Sequence, residues 1–142
     1  MYLKDNITKK LYNKSYVCEK DEILQLINKL RFLMIDCRKE SRISIIEACQ
    51  LIQVDKKKSA RYFAYNMLRT LEEILGKKPI FRNPGEKTLT FDEQWLASLI
   101  LGFKSNDLMS IKFLMKSRVE NLSKRSYISY LIEGLVKDLK SL

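Results

Sequence analysis

Apolar residues between Asp21 and Lys39 recur three and four positions apart, which is the spacing of one face of an α-helix. They form one stripe: Ile23, Leu26, Ile27, Leu30, Leu33, Met34 and Cys37. Three further apolar residues, Leu24, Phe32 and Ile35, lie beside that stripe. We therefore predict a central helix over 21–39 that contacts neighbours on two sides.

Two more helices are predicted before the first glycine of the chain. A short one, from about Ile43 to Gln53, has little polar surface and is expected to be mostly buried, with Ser41 or Ser44 as its N-cap residue. A longer one runs from about Lys56 to Leu75 with apolar residues on one face. Gly76 follows at once, which is typical of a left-handed helix C-cap.

Glycine and proline are concentrated in one short part of the chain, 76–85. Residues 77–91 lack helical period, and two short arms, 79–82 and 87–91, flank a turn-type tetrapeptide at 83–86. This pattern predicts either a short β-hairpin or an irregular linker, because neither arm convincingly reaches the usual strand length of about 5–6 residues. Both interpretations stay open.

Three further helices are predicted in the C-terminal half. Thr90 and Glu93 have the spacing of a capping box, so the first of these helices begins near Phe91. The second runs from about Asp107 to Arg118, after an N-cap at Ser105 or Asn106, and the third from near Ser123 to Leu139. The second is expected to bury its apolar residues: Leu108, Ile111, Leu114 and Met115.

Composition disfavours an enzyme. The chain has 27 Lys and Arg against 17 Asp and Glu, a formal charge of +10, and it has no histidine, the usual general acid or base near neutral pH. No glycine-rich phosphate loop is present, and no cysteine has an activating partner in the sequence. A zinc site would need a fourth ligand beside Cys18, Cys37 and Cys49. We expect no catalytic residue, no metal and no cofactor.

Localisation can also be predicted. No apolar run approaches the roughly 20 residues that span a bilayer, and the first residues contain no signal-peptide h-region. The three cysteines lack CxxC spacing, and two of them lie on apolar faces of predicted helices, as reduced cysteines commonly do. We predict a cytoplasmic protein without membrane contact.

Residues 47–63 resemble a helix-turn-helix motif: a short buried helix, a break at Val54 and Asp55, and then a basic helix. Gln53 stands where glycine is common in the turn of such motifs, and Ser59 where an apolar residue usually opens the second helix. The resemblance implies that the second helix enters the major groove of DNA.

The outward face of that second helix carries cations, phenols and an amide: Lys57, Lys58, Arg61, Tyr62, Tyr65, Asn66 and Arg69. Lysine and arginine neutralise phosphates, and arginine or asparagine can form paired hydrogen bonds with base edges. If 77–91 is a hairpin, the elements follow in winged-helix order, with four more cations placed to contact phosphates: Lys77, Lys78, Arg82 and Lys87. Alternatively the strip is an ordinary solvated face, since positive charge is spread along the whole chain.

Large apolar residues in the C-terminal half provide a second functional hypothesis: Trp95, Phe103, Met109, Phe113, Met115, Tyr127 and Tyr130. These residues are more than short helices readily bury, so some of them could face a partner, although core positions are the commoner role. We also expect the C-terminal helices to pair two copies into a homodimer, since such motifs often bind two-fold DNA sites.

Together these patterns predict an all-α protein of about six helices in four parts. The parts are a basic N-terminal segment (1–20), a three-helix unit that resembles a helix-turn-helix (21–76), a hairpin or linker (77–90) and a C-terminal helical unit (91–142). The favoured function is a small DNA-binding transcriptional regulator that binds duplex DNA. The alternative is a non-enzymatic helical module or adaptor that binds another protein.

Overall fold

The computed structural model of the chain describes residues 2–39, 46 and 59–142, and the side chains of 21–39, 46 and 59–142. These described residues form five α-helices, one short 3-10 helix and no strand, which confirms the all-α prediction for this part of the chain. The helices are α1 (Tyr2–Lys39), α2 (Ala60–Leu75), α3 (Phe91–Lys104), α4 (Leu108–Arg118) and α5 (Leu122–Lys137), with the 3-10 helix at Leu139–Ser141.

The first helix is longer than its apolar pattern predicted, because α1 begins at Tyr2 rather than near Asp21. Its predicted stripe from Leu26 to Cys37 is buried. The prediction of a second contact face was wrong for Phe32 and Ile35, whose side chains are exposed.

Local capping chemistry sets the ends of the other helices. Ser59 caps α2 by accepting a hydrogen bond from the Tyr62 N–H at 3.2 Å, so the helix begins at Ala60 instead of near Lys56. Gly76 ends α2 with φ at 73°, a left-handed conformation that glycine adopts without strain, as predicted. The predicted capping box of Thr90 and Glu93 is present at the start of α3.

One buried core joins residues from both sides of the 77–90 segment. Helix α2 packs most extensively on α5, and α1 and α3 complete the core around this pair. Its fully buried residues include Ile27, Leu30, Met67, Leu71, Leu99, Ile100, Ile128, Leu131 and Leu135. The division into N-terminal and C-terminal units stays a prediction.

Residues 77–90 form no strand, so the linker alternative describes this segment and the hairpin is not seen. The segment is nevertheless tied to the start of α3. The Ile80 N–H donates to Asp92 Oδ2 at 2.8 Å, and Thr90 Oγ1 donates to the Ile80 carbonyl at 2.6 Å. Polar contacts with the start of α3 therefore hold residues 77–90, which we call the connection, in place.

A buried arginine is the strongest of these attachments. Arg31 of α1 is fully buried, and its guanidinium makes five hydrogen bonds, matching its five N–H donors. Two bonds go to the Glu93 carboxylate, at 2.5 and 3.1 Å, and two go to the carbonyls of Glu86 and Thr88, at 2.7 and 2.9 Å. The fifth bond goes to Asn28. One side chain thus links α1, the connection and α3.

The pKa of Glu93 responds to this environment. Burial by itself raises the pKa of Glu93, but the hydrogen bond and charge of Arg31 and the N–H groups of Thr90 and Arg82 outweigh it. The net result is a pKa below the ordinary value of a glutamate.

Because the folded-state pKa of Glu93 is lowered, its stabilising contribution should be present at neutral pH and lost as the pH falls through that lowered value. We expect the unfolding free energies of the native chain and Glu93→Gln to differ at neutral pH and to converge in the acid range below pH 4.5, the ordinary value of a glutamate. Urea unfolding across this range measures both. A difference that does not change with pH would show that the carboxylate charge contributes nothing.

Candidate functional site

The helix-turn-helix prediction lies mostly outside the described residues. Lys57 and Lys58 lie outside the described residues, as does the break at Val54 and Asp55. Of the predicted short helix, only Ile46 is described. Of the segment 47–63, the structure describes Ser59 onward. The motif therefore stays a prediction.

The described part of the predicted strip is less exposed than expected. Arg61 is exposed and lies 3.5 Å from the Asp36 carboxylate, whereas Tyr62, Tyr65 and Arg69 are half-buried. The Arg69 guanidinium stacks over the Tyr65 ring, 5.4 Å from its centroid. The outward face of α2 is thus a narrow band.

The prediction that Asn66 lies on the outward face of α2 was wrong. Asn66 is only 2% exposed, and its Nδ2 donates to the Tyr62 carbonyl at 2.9 Å. Helix α2 buries more than half of its circumference because α1 and α5 both pack against it, so this position faces inward. Asn66 therefore cannot form hydrogen bonds with a base edge.

The four cations of the connection are all exposed: Lys77, Lys78, Arg82 and Lys87. Arg82 Nη1 lies 3.7 Å from the Glu86 carboxylate, in a solvent-exposed pair. Although no hairpin forms there, these side chains remain accessible to an anionic partner.

Helix α4 exposes several large apolar residues, one of which, Leu108, was expected to be buried. Among the residues of α4, all of which the structure describes, only Met115 is buried. Leu108 is 75% exposed, Met109 85% and Phe113 72%. The predicted burial of Leu108 was wrong, and Ile111 and Leu114 are only partly buried.

Contacts on the opposite face of α4 explain this orientation. The Trp95 indole donates to the Leu114 carbonyl at 3.0 Å, and Arg118 pairs with Asp92 at 2.6 Å between the rings of Phe91 and Trp95. These groups hold one side of α4 against α3. The opposite side, with Met109 and Phe113, therefore faces solvent.

The start of α4 is also fixed. Asp107, rather than the predicted Ser105 or Asn106, is its N-cap and accepts hydrogen bonds from the Ser110 N–H at 3.2 Å and the Ser110 hydroxyl at 2.6 Å. These bonds lower the pKa of the Asp107 carboxyl. Its negative charge is engaged within the helix cap.

A groove of about 520 Å³ runs beside the exposed face of α4. Its walls come from three helices: Ile23 of α1, Ser98, Leu101 and Gly102 of α3, and Met109 and Phe113 of α4. Ser105, Asp107, Ser110 and Leu114 also line it, and the Asp107 carboxylate brings a negative charge to its edge. This volume lies within the usual range of ligand sites, about 300–1,000 Å³. Because Met109 and Phe113 line the groove, their exposed side chains and the groove form one continuous surface.

No protein-family model, curated protein or solved structure matches this chain. A functional proposal therefore depends on the chemistry of the chain's own residues.

A second cleft, of about 450 Å³, lies where α3 and α5 end. Four lysines line it, Lys29, Lys104, Lys137 and Lys140, and Lys104 pairs with Glu22 at 2.5 Å. Lys104 and Lys137 are the last residues of α3 and α5, where a cation stabilises the negative end of the helix dipole, so these two have a structural role.

The described residues offer neither a candidate metal site nor a candidate membrane span. They contain no group of three or more His, Cys, Asp or Glu side chains that could hold a metal ion. Among them, no helix combines the length and the apolar character needed to cross a membrane. Cys37, at the end of α1, is buried against α2 with its thiol 3.9 Å from the Tyr65 carbonyl.

The sequence contained a usable signal for the α4 surface. Met109 and Phe113 are four residues apart, which places them on one helix face, whereas Ile111 and Met115 share the opposite face. Both faces of α4 are therefore apolar, and the set predicted to be buried included Ile111 and Met115, on the face opposite Met109 and Phe113.

Proposed function

We propose that this protein is a non-enzymatic helical module that binds another protein through the exposed face of α4. The observation that carries the proposal is the pair Met109 and Phe113, which are 85% and 72% exposed on one face beside a groove. Contiguous exposed apolar surface on a monomer marks interaction sites, whereas single exposed apolar residues are common.

The energetics favour a partner on this face. Burying a large apolar side chain is worth about 1.5–3 kcal/mol relative to leaving it in water. Methionine and aromatic side chains are also the types enriched at the centres of protein interfaces. Met109 and Phe113 are thus suited to be the anchors of an interface.

A photoreactive p-benzoylphenylalanine in place of Phe113 tests this function in cells. We expect ultraviolet light to produce a discrete adduct with a partner protein, because Phe113 would lie at the interface. The matched control places the same group at Phe32 of α1, which is also exposed at 61% but lies away from the groove. Identical adducts from both positions, or none from position 113, would contradict the proposal.

Substitution provides the quantitative part of this test. Met109→Ser combined with Phe113→Ser should reduce capture of the cross-linked partner by about 30-fold, which corresponds to about 2 kcal/mol. Phe32→Ser combined with Ile80→Ser removes two other exposed apolar residues and should leave capture unchanged.

DNA binding is the second candidate, supported by the exposure of Arg61 and of the four connection cations. The net charge of +10 attracts any polyanion, so charge alone does not distinguish a DNA site. In this proposal the protein is a transcriptional regulator, and Lys77 and Lys78 contact backbone phosphates of duplex DNA.

A salt titration on random duplex DNA tests the second candidate. Reversing Lys77 and Lys78 to glutamate should reduce the slope of log K against log salt by about one unit for each lost phosphate contact. The control replaces Lys137 and Lys140, which line the cleft where α3 and α5 end, with glutamate and should leave the slope unchanged. Equal reductions in both variants would indicate diffuse attraction only.

The homodimer through the C-terminal helices and the cytoplasmic location stay predictions. Sedimentation velocity at micromolar concentration measures the mass of the particle, and imaging of a tagged chain measures its location. A dimer mass that Phe113→Ser abolishes would assign the α4 face to a second copy.

A further inference from the structure

We infer that the partner presents an acidic amphipathic helix, which lies along α4 with its apolar side against Met109, Phe113 and the groove. This inference depends on the proposed function and specifies the chemistry of the partner. Shape, surface composition and charge each contribute to it.

The shape of the site suits a helix. Helix α4 has 11 residues, which at 1.5 Å per residue gives a ridge of about 16 Å, or three helical turns. The groove beside it is lined by Ser98 and Ser110, which have short side chains, and by Gly102, which has none, so a partner backbone can approach closely. A partner with a flat surface would leave the groove, whose volume is about 520 Å³, unfilled.

The exposed ridge has the pattern that an amphipathic helix recognises. Met109 and Phe113 provide two apolar side chains one turn apart, and Ile23 and Leu101 continue the apolar surface into the groove. A partner helix fills such a groove with apolar residues at positions i, i+3 or i+4 and i+7.

Charge selects an acidic partner. Lys112 and Lys116 are exposed one turn apart and flank the ridge on one side, and the described part of the chain contains no ion pair to either of them. Glu22 pairs with Lys104, whereas Asp107, which lines the groove, keeps its negative charge while it accepts hydrogen bonds from Ser110. Lys112 and Lys116 together outweigh this one carboxylate, so the surface offered to a partner is net positive.

The same charge disfavours a second copy as the occupant. Two copies placed face to face would bring four lysine ammonium groups together beside the contact, and like charges at an interface oppose association. A helix with carboxylates opposite Lys112 and Lys116 would instead gain charge complementarity.

Selection from a phage-displayed library of helical peptides tests the inference. The peptides carry fixed apolar residues at i, i+4 and i+7 and random residues elsewhere, and the full chain is the target. We expect enriched peptides to be net negative on the native chain and net positive on Lys112→Glu/Lys116→Glu. The variant Lys137→Glu/Lys140→Glu carries the same charge change at the other cleft and should select the same peptides as the native chain.

Binding measurements complete the test. The best acidic peptide should bind at least tenfold more weakly to Lys112→Glu/Lys116→Glu and lose measurable binding to Met109→Ser/Phe113→Ser in fluorescence anisotropy. Circular dichroism and thermal unfolding should show that both variants keep the native helix content, because all four side chains are exposed.

Several outcomes would overturn the inference. The inference is wrong if the native chain and Lys112→Glu/Lys116→Glu select peptides of the same net charge. It is also wrong if the selection enriches no peptide. Flotation with phosphatidylserine-containing vesicles, in the absence of peptide binding, would assign the face to a membrane surface. The adduct at position 113 is an independent measurement, so the proposed function can survive the failure of the acidic-helix inference.

Discussion

Replacing Arg31 with methionine should lower the free energy of unfolding by about 3–5 kcal/mol, the usual cost of leaving one member of a buried ion pair without its partner. Arg31 and Glu93 both have fully buried side chains, so neither charge can be solvated where it stands. The substitution also removes the donors that the carbonyls of Glu86 and Thr88 accept. Urea denaturation at neutral pH measures the loss.

The exposed pair of Lys104 and Glu22 provides the control. Its N–O distance is also 2.5 Å, but both side chains are about half exposed, so Lys104→Met should cost less than about 1 kcal/mol. If Arg31→Met costs no more than Lys104→Met, burial does not determine the strength of the Arg31 pair.

The double variant Arg31→Met/Glu93→Met separates pairing from packing. Because both charges are then absent, we expect part of the loss to be recovered relative to Arg31→Met alone. Recovery should be incomplete, since Glu93 also accepts a hydrogen bond from the Thr90 N–H in the capping box. Loss of the connection's attachment should also increase hydrogen exchange of the amides from 80 to 90.

Local patterns predicted most helix positions. The 3.6-residue period located α2, α3 and α5, and the predicted capping residues Thr90 and Gly76 begin and end a helix. Such features depend on residues a few positions apart, which a single sequence displays directly. The N-terminal extension of α1 was missed because residues 2–20 lack a clear apolar stripe.

Arg31 shows what the sequence indicated only in part. It lies four residues after Ile27 and three before Met34, and therefore on the apolar face of α1. A charge in that position requires a buried partner. The partner is Glu93, which is 62 residues away in the sequence, and no local pattern identifies it.

The candidate site was predictable in composition but not in position. The aromatic and methionine residues of the C-terminal half were recognised, yet Trp95 and Tyr127 are buried whereas Met109 and Phe113 are exposed. What decides between them is the attachment of α4 to α3 through Arg118 and Asp92, a contact between residues of different helices. Contacts between helices also explain why the prediction for Asn66 failed: this residue faces inward because two helices pack on α2.

Replacing Gly134 with alanine should destabilise the protein by about 1–2 kcal/mol, although alanine is the better helix former by about 1 kcal/mol. An added Cβ at this position of α5 would lie 2.5–2.6 Å from three atoms of the Phe63 ring on α2. That ring is 6% exposed and packs edge-on against Tyr62 and Tyr130, so it has little room to move. The two helices must therefore separate slightly, at the most extensive helix contact of the core.

Gly102→Ala of α3 is the matched control for this last prediction. Its added Cβ would lie 3.3 Å from one atom, Ile111 Cγ1, which belongs to a partly buried side chain on the short helix α4. There the gain in helix propensity should balance or exceed the crowding. In a background with Phe63→Leu, which removes part of the obstructing ring, Gly134→Ala should cost less than it does in the native chain, and thermal unfolding of the four combinations gives this coupling energy. Stabilisation by Gly134→Ala in the native chain would mean that α2 and α5 are less closely packed than this contact implies.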